Sequence, residues 1–314
     1  MSAPDVSVVL PVYEEEEGIG AALDAVRAHL STTGAAFEVI AVDDGSRDAT
    51  VARLEEAAGA DDRVQVVRLA RNFGKEAALA AGLDAARGRA VILMDADLQH
   101  PPELLPRMVE LWREGHDVVS AVKEARSRES LTYRLFAGLF NALMGRAAGA
   151  SFHGASDYKL LDRQVVDALA RCPERNRFFR GLVTWVGFRT AEVPFSVRER
   201  TAGRTKWSTW GLLKYSLRNL IAFTALPLKL VAVAGFVTLL FAAGLAVQTL
   251  GRYLAGRAVS GFTTVILLQL ILGGLLLTSV GVIAMYIAEI YDEVKRRPVF
   301  VLRKPEPPGS RGAK

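Results

Sequence analysis

The sequence has one cysteine, Cys172, so no disulfide can form within the chain, and a reducing compartment is expected. No flanking pattern marks that thiol as a nucleophile. Histidine is also scarce, with four residues. His29 and His153 have no partners at metal-ligand spacing and read as structural. The amino end lacks a basic leader followed by an apolar core, so no secretory signal is expected. A dinucleotide fingerprint is missing too. Gly18 and Gly20 are followed by Leu23 where the third glycine belongs, and Glu14 to Glu17 would repel a pyrophosphate at that turn.

Apolar residues, by contrast, are plentiful at 51%, and the excess lies after Ala225. Leu226 to Leu250 is almost wholly apolar apart from Lys229 and Gln248, and Phe262 to Ala288 is similar. Each is long enough to cross a hydrocarbon core of about 30 Å, which takes roughly twenty residues. The net charge of +5 is concentrated around Arg126 to Arg146, Arg198 to Arg218 and Lys295 to Lys304. These clusters adjoin apolar segments, which favours an anionic membrane surface over nucleic acid.

Two further stripes have helical spacing. Leu131, Leu135, Phe136, Leu139, Phe140, Leu143 and Met144 fit either a core-facing helix or one lying on a membrane. Trp207, Trp210, Leu213, Leu217, Leu220 and Ile221, with Lys214 and Arg218 on another face, predict an interfacial helix. Lys295, Arg296, Arg297, Arg303 and Lys304 follow the second apolar run, against Arg252 and Arg257 between the two. The positive-inside rule then puts both termini and the large domain in the cytoplasm. Arginine outnumbers lysine and Ala and Gly abound, a bias consistent with a GC-rich bacterial genome.

Before these spans, strands and helices alternate. Strands are predicted at Val6–Leu10, Phe37–Val42, Val64–Leu69, Val91–Met94, Asp117–Val122, Gly154–Leu161 and Arg189–Val197. Helices are predicted at Ile19–Leu30, Asp48–Ala58 with Ser46 as cap, Glu76–Ala86, Pro102–Glu114, Arg163–Ala170 and Phe178–Val186. Such alternation implies an α/β domain with a mostly parallel sheet and its loops of acidic residues along one edge. Gly74 permits a turn closed to other residues, and Lys75 at the following helix start suggests an anion site.

The most informative stretch is Val91 to Glu103, V-I-L-M-D-A-D-L-Q-H-P-P-E. A buried strand delivers Asp95 and Asp97 to its tip. If the segment stays extended, side chains two apart share a face, and Asp95, Asp97 and Gln99 aim oxygens at one point. That set suits a hard divalent cation, Mg2+ or Mn2+, with open positions for a phosphate ligand.

The D-A-D-L-Q-H segment resembles the metal-binding motif of the family 2 glycosyltransferases, in the branch that charges a polyprenyl phosphate with a sugar. The resemblance extends over nearly the whole chain. It implies a GT-A-type domain at 1–206, an interfacial helix at 207–225, two transmembrane helices within 226–290 and a basic cytoplasmic tail at 291–314. It also implies inverting transfer from a nucleotide-sugar donor to a polyprenyl phosphate acceptor at the cytoplasmic membrane, with association into a homo-oligomer, up to a tetramer.

Carried onto this sequence, the P-V-Y-x-E and D-D-G-S loops make Pro11, Tyr13, Glu15, Asp43 and Asp44 the nucleoside contacts, with Lys75 and Asp95 beside them. The family usually has Asn where Glu14 stands. Asp97 and Asp157 become the catalytic pair, Asp157 by its match to the acceptor-side aspartate. Arg128, Ser130, Arg134, Arg200 and Lys206 become phosphate and acceptor contacts, the last two from the family's E-R-x-x-G-x-S-K-Y loop with Thr205 for Ser and Trp207 for Tyr. A processive polysaccharide synthase would carry Q-x-x-R-W and more spans, and neither is present. A non-catalytic anchoring subunit would have lost a ligand position, whereas Asp95, Asp97 and Gln99 are all intact.

Overall fold

The computed structural model describes residues 3–123, 155–172, 174–175, 177–196, 221, 224–256 and 261–303. The chain forms two units, Met1–Trp207 with Pro298–Lys314, and Ser208–Arg297.

The first unit is built on a seven-stranded sheet. Its strands are β1 (Val6–Val12), β2 (Phe37–Asp43), β3 (Val64–Arg68), β4 (Ala90–Leu93), β5 (Val118–Lys123), β6 (Ala155–Asp162) and β7 (Thr190–Phe195). The spatial order is β3-β2-β1-β4-β6-β5-β7, and only β6 runs antiparallel to its neighbours. Helices α1 (Ile19–Ser31), α2 (Thr50–Ala60) and α3 (Lys75–Ala85) connect the parallel strands β1 to β4. Every residue of β2 and β4 is buried, as expected of strands covered on both faces. The chain builds outward through β2 and β3, then returns to place β4 on the other side of β1. That reversal makes a crevice at the carboxyl ends of β1 and β4, where open α/β sheets hold ligands.

The buried residues of α3 are mostly small, Ala77, Ala78, Ala80, Ala81 and Gly82 beside Leu79 and Leu83, and Gly82 meets the sheet most closely. A Cβ on Gly82 would stand 2.2 Å from Val9 Cγ1. The predicted helix at Pro102–Glu114 divides into a 3-10 turn over Pro102–Leu104 and α4 (Leu105–Arg113). Helices α5 (Arg163–Ala170) and α6 (Phe179–Trp185) follow β6. Ser46 does not cap α2 as predicted. The cap position is Ala49, and the Ser46 hydroxyl instead accepts the Glu14 N–H at 2.9 Å, tying the β1 loop to the β2 loop.

The second unit contains α7 (Leu226–Leu254) and α8 (Phe262–Val294). Their span-length windows have mean hydropathies of 2.5 and 2.3, and large apolar side chains such as Phe236 and Leu277 are exposed. Two helices that long and apolar, left uncovered by protein, are candidate membrane spans. The stripes predicted on 126–146 and 207–221 lie outside the described residues, Ile221 excepted. After α8 the chain rejoins the first unit. Val301 O accepts the Ala70 N–H and Arg303 N–H donates to Arg68 O, both at 2.8 Å, which covers the outer edge of β3.

Candidate active site

Pairing of β4 with β6 brings the acidic residues together. Leu93 lies opposite Lys159 in that antiparallel register, and continuing it two residues sets Asp157 across from Asp95. Like charges facing each other on neighbouring strands repel, so this arrangement needs a cation between them. Lys75 supplies it: its ammonium is 2.5 Å from Asp95 Oδ1 and 2.8 Å from Asp157 Oδ2. The lysine is the first residue of α3, where a positive charge opposes the helix dipole. Gly74, at φ +98, provides the turn that starts the helix there. Lys75, read from the sequence as an anion site, holds two carboxylates here.

Arg180, which no sequence pattern singled out, completes the cluster. Its Nε and Nη2 donate to Asp157 Oδ1 at 2.5 Å and Oδ2 at 2.9 Å, a bidentate clamp. The start of α6 is fixed in turn by Glu76 of α3, whose carboxylate accepts the Phe179 N–H at 3.2 Å. Burial alone would raise the Asp157 pKa, but Lys75 and Arg180 outweigh it and hold the carboxyl far below the usual carboxylate range. Asp95 is likewise lowered: burial opposes its charge, and Lys75 and then His100 favour it. Such a weakly basic Asp157 is poorly matched to proton abstraction at neutral pH.

The acidic segment itself differs from the extended form expected. β4 ends at Leu93, residues 96 and 97 form a turn, and Leu98 adopts φ +56. A left-handed residue breaks strict alternation, so the strand geometry expected to set Asp95, Asp97 and Gln99 on one face does not extend through this turn. All three are half-buried, and the Gln99 N–H donates to Asp97 Oδ1 at 3.1 Å. Beneath the turn sits His100. Its Nδ1 accepts the Asp95 N–H at 3.2 Å, which makes it the unprotonated nitrogen. The ring stacks on buried Tyr158 at 5.1 Å, and the Tyr158 hydroxyl donates to Pro101 O at 3.2 Å. Burial pushes the imidazole pKa down despite Asp95. A neutral aromatic shelf thus shapes the acidic turn.

The loops after β1, β2 and β3 are zipped together by hydrogen bonds. Asp43 and Asp44 are both buried. Asp43 Oδ1 accepts the Ser46 N–H at 3.0 Å. Asp44 accepts the Phe73 N–H at 2.7 Å and the Gly74 N–H at 2.9 Å, so one carboxylate latches the loop that launches Lys75. The turn itself pairs Asp43 with Ser46, while Asp44 reaches across to the loop after β3. Burial raises the Asp44 pKa, and those two amides offset part of the rise. Gly45 is required between them, because at φ +76 a Cβ would lie 2.6 Å from Arg71 C. Pro11 and Tyr13 are half-buried at the end of β1, and the Glu15 N–H donates to Thr50 Oγ1 at 2.9 Å. Arg128, Ser130, Arg134, Arg200 and Lys206 lie outside the described residues.

Carboxylates and cations gather at a topological switch point, where open α/β sheets hold their ligands. The Glycosyl transferase family 2 profile matches residues 7–169, and the chain belongs to that family. It is 38% identical to the uncharacterized glycosyltransferase sll0501 of Synechocystis, over 95% of this chain and 94% of that protein. It is 37% identical to the uncharacterized glycosyltransferase YkcC of Bacillus subtilis, over 95% and 93%. Bactoprenol glucosyl transferase of Shigella phage SfII is 36% identical, over 95% and 97%.

Proposed function

We propose that this glycosyltransferase moves a sugar from a nucleoside diphosphate sugar to a polyprenyl phosphate, with inversion, at the cytoplasmic face of a membrane. The observation that carries the reading is the acidic turn at Asp95 and Asp97 facing the Lys75–Asp157–Arg180 cluster, in a chain that also has two span-length apolar helices. Relatives named bactoprenol glucosyl transferase align over 95% of the chain, which supports the acceptor class.

The donor set at the turn fits Mg2+ or Mn2+. Asp95 and Asp97 offer hard carboxylate oxygens with Gln99 beside them, and a magnesium-type site characteristically adds water and substrate phosphate to one or two carboxylates. A bound divalent cation would supply charge stabilisation to the departing diphosphate. The chain's own residues do the rest. Arg180 and Lys75 keep Asp157 ionised, so it orients the acceptor side of the cleft without taking a proton. A phosphate monoester has its second pKa near 6, so the acceptor reaches the cleft largely as a dianion and needs little help from a base. Direct attack opposite the leaving group inverts the anomeric carbon.

The cytoplasmic assignment is supported by Lys295, Arg296, Arg297 and Arg303 after α8. The return of residues 301–303 to β3 supports an even number of crossings. The test is transfer of labelled sugar from a panel of nucleoside diphosphate sugars to added undecaprenyl phosphate, using full-length protein in membranes. A lipid-linked monosaccharide formed from one donor supports the reading. Transfer confined to water-soluble acceptors, or none from any donor, refutes it.

A further inference from the structure

We propose that Lys75 is the resident counter-ion of the metal site, and that its ammonium must leave Asp95 before a divalent cation can load. The inference rests on the reading of Asp95 and Asp97 as metal ligands.

The charge count within the cluster motivates it. Asp95 and Asp157 face Lys75 and Arg180, two carboxylates against two cations, with Lys75 shared at 2.5 and 2.8 Å and Arg180 committed to Asp157 in a bidentate pair. Arg180 satisfies Asp157 without help. Among the described residues Lys75 is the cation paired with Asp95, and His100 beside it has its Nδ1 3.8 Å from Oδ2 and unprotonated. A divalent cation on Asp95 therefore meets an ammonium bound to the same carboxylate. Two positive centres cannot share it at these distances without strong repulsion.

Lys75 is able to yield. Its side chain is 38% exposed, carries a flexible stem, and starts at the helix end held by Gly74. On leaving Asp95 it keeps Asp157 and gains a new partner when a diphosphate arrives. Metal without nucleotide thus displaces the lysine at a cost, whereas metal with nucleotide gives the displaced ammonium an anion. The two ligands are then positively coupled, each tightening the other by the same factor.

Binding of Mn2+ to the full chain in detergent, read by the paramagnetic resonance signal of free Mn2+ with and without UDP, tests the proposal. Lys75→Met should bind Mn2+ alone about tenfold more tightly than wild type, and UDP should then improve Mn2+ binding less than it does in wild type. Lys75→Arg, which retains the charge, should behave as wild type. Unchanged or weaker Mn2+ affinity in Lys75→Met overturns the proposal, as does the absence of saturable Mn2+ binding in every form. Should Lys75→Met fail to fold, wild type suffices. Modification of Lys75 by an amine-reactive ester, followed by mass spectrometry, should rise with Mg2+ and fall again with UDP, and no rise with Mg2+ overturns it. None of these readouts requires sugar transfer, so they separate failure of this proposal from failure of the functional reading.

Discussion

Replacing Asp157 by Asn keeps the side chain's shape and deletes its charge, leaving Arg180 and Lys75 facing an amide. Removing one member of a buried ion pair costs about 3–5 kcal/mol. Both cations are 38% exposed at the side chain and Lys75 retains Asp95, so solvent and that second carboxylate recover much of the loss. The expected net cost is about 1–2 kcal/mol, a fall of roughly 2–8 °C in melting temperature for a domain of this size. Because the folded pKa of Asp157 is depressed, its contribution is complete above the ordinary carboxylate value near ~3.9 and is lost as pH falls through the depressed value. The gap between wild type and Asp157→Asn should stay constant from about pH 5 to 8 and narrow below about pH 4. Turnover should drop by about 10–100-fold through misplacement of the acceptor, while the acidic limb of the rate profile persists near the phosphate's own pKa of about 6. Initial rates and thermal unfolding across pH, on the same preparations, give both numbers. Complete loss of transfer at an unchanged melting temperature, or disappearance of the acidic limb, would refute the positioning role and restore Asp157 as a base.

Other perturbations probe different parts of the site. Asp97→Ala should lose transfer by at least about 10²–10³-fold at saturating metal, since a ligand of the leaving-group cation is removed; activity within tenfold of wild type would contradict the assignment. Glu14 sits at φ +51, a region where Asn is far better tolerated than Glu. Glu14→Asn should therefore add about 0.5–1 kcal/mol, seen as a small rise in melting temperature, and a fall would show that Glu14 makes compensating contacts. Lys159 is buried with its ammonium 2.6 Å from Ser120 Oγ, and burial pushes it down to about 8. Its cost to stability is full below that value and fades as pH rises toward the unfolded value near ~10.4, so Lys159→Met should stabilise by about 1–3 kcal/mol at pH 7 and by little at about pH 10.

The alternation of β1 through β4 with α1 to α3 was legible because each strand is mostly apolar and the chain turns polar at or just past its carboxyl end, as at Glu14, Asp43 and Asp95. The facing of Asp95 and Asp157 was not, because insertion of antiparallel β6 between β4 and β5 is a non-local pairing that leaves no trace in periodicity. Arg180 escaped for a related reason. It meets Asp157 only because Glu76 of α3 fixes the first turn of α6, and no local spacing connects those three residues. The extended reading of Asp95 to Gln99 failed at Leu98, whose positive φ turns the chain out of strand geometry just before His100 stacks on Tyr158. His100 had a signal available, since it closes the D-A-D-L-Q-H segment. The usual Asn at position 14 carried one as well, because it marks a left-handed residue.

Charge explains why Lys75 and Arg180 stand against the carboxylates of the site. The described cluster is close to neutral by itself, with Asp95 and Asp157 balanced by Lys75 and Arg180. A nucleoside diphosphate sugar and a phosphate monoester each bring roughly two negative charges at neutral pH. Drawing both into one cleft with no further compensation would cost several kcal/mol at the short separations that transfer requires. On the proposed reading, a divalent cation on Asp95 and Asp97 would answer the donor and would free Lys75 to answer it as well. What remains is the acceptor's charge, and the sequence offers Arg128, Arg134, Arg200 and Lys206 for it. On this account those four residues govern acceptor affinity and leave metal binding untouched. Their neutralisation should raise the KM for polyprenyl phosphate while the Mn2+ affinity measured with UDP stays at the wild-type value, and a parallel loss of both would mean that donor and acceptor share one set of cations.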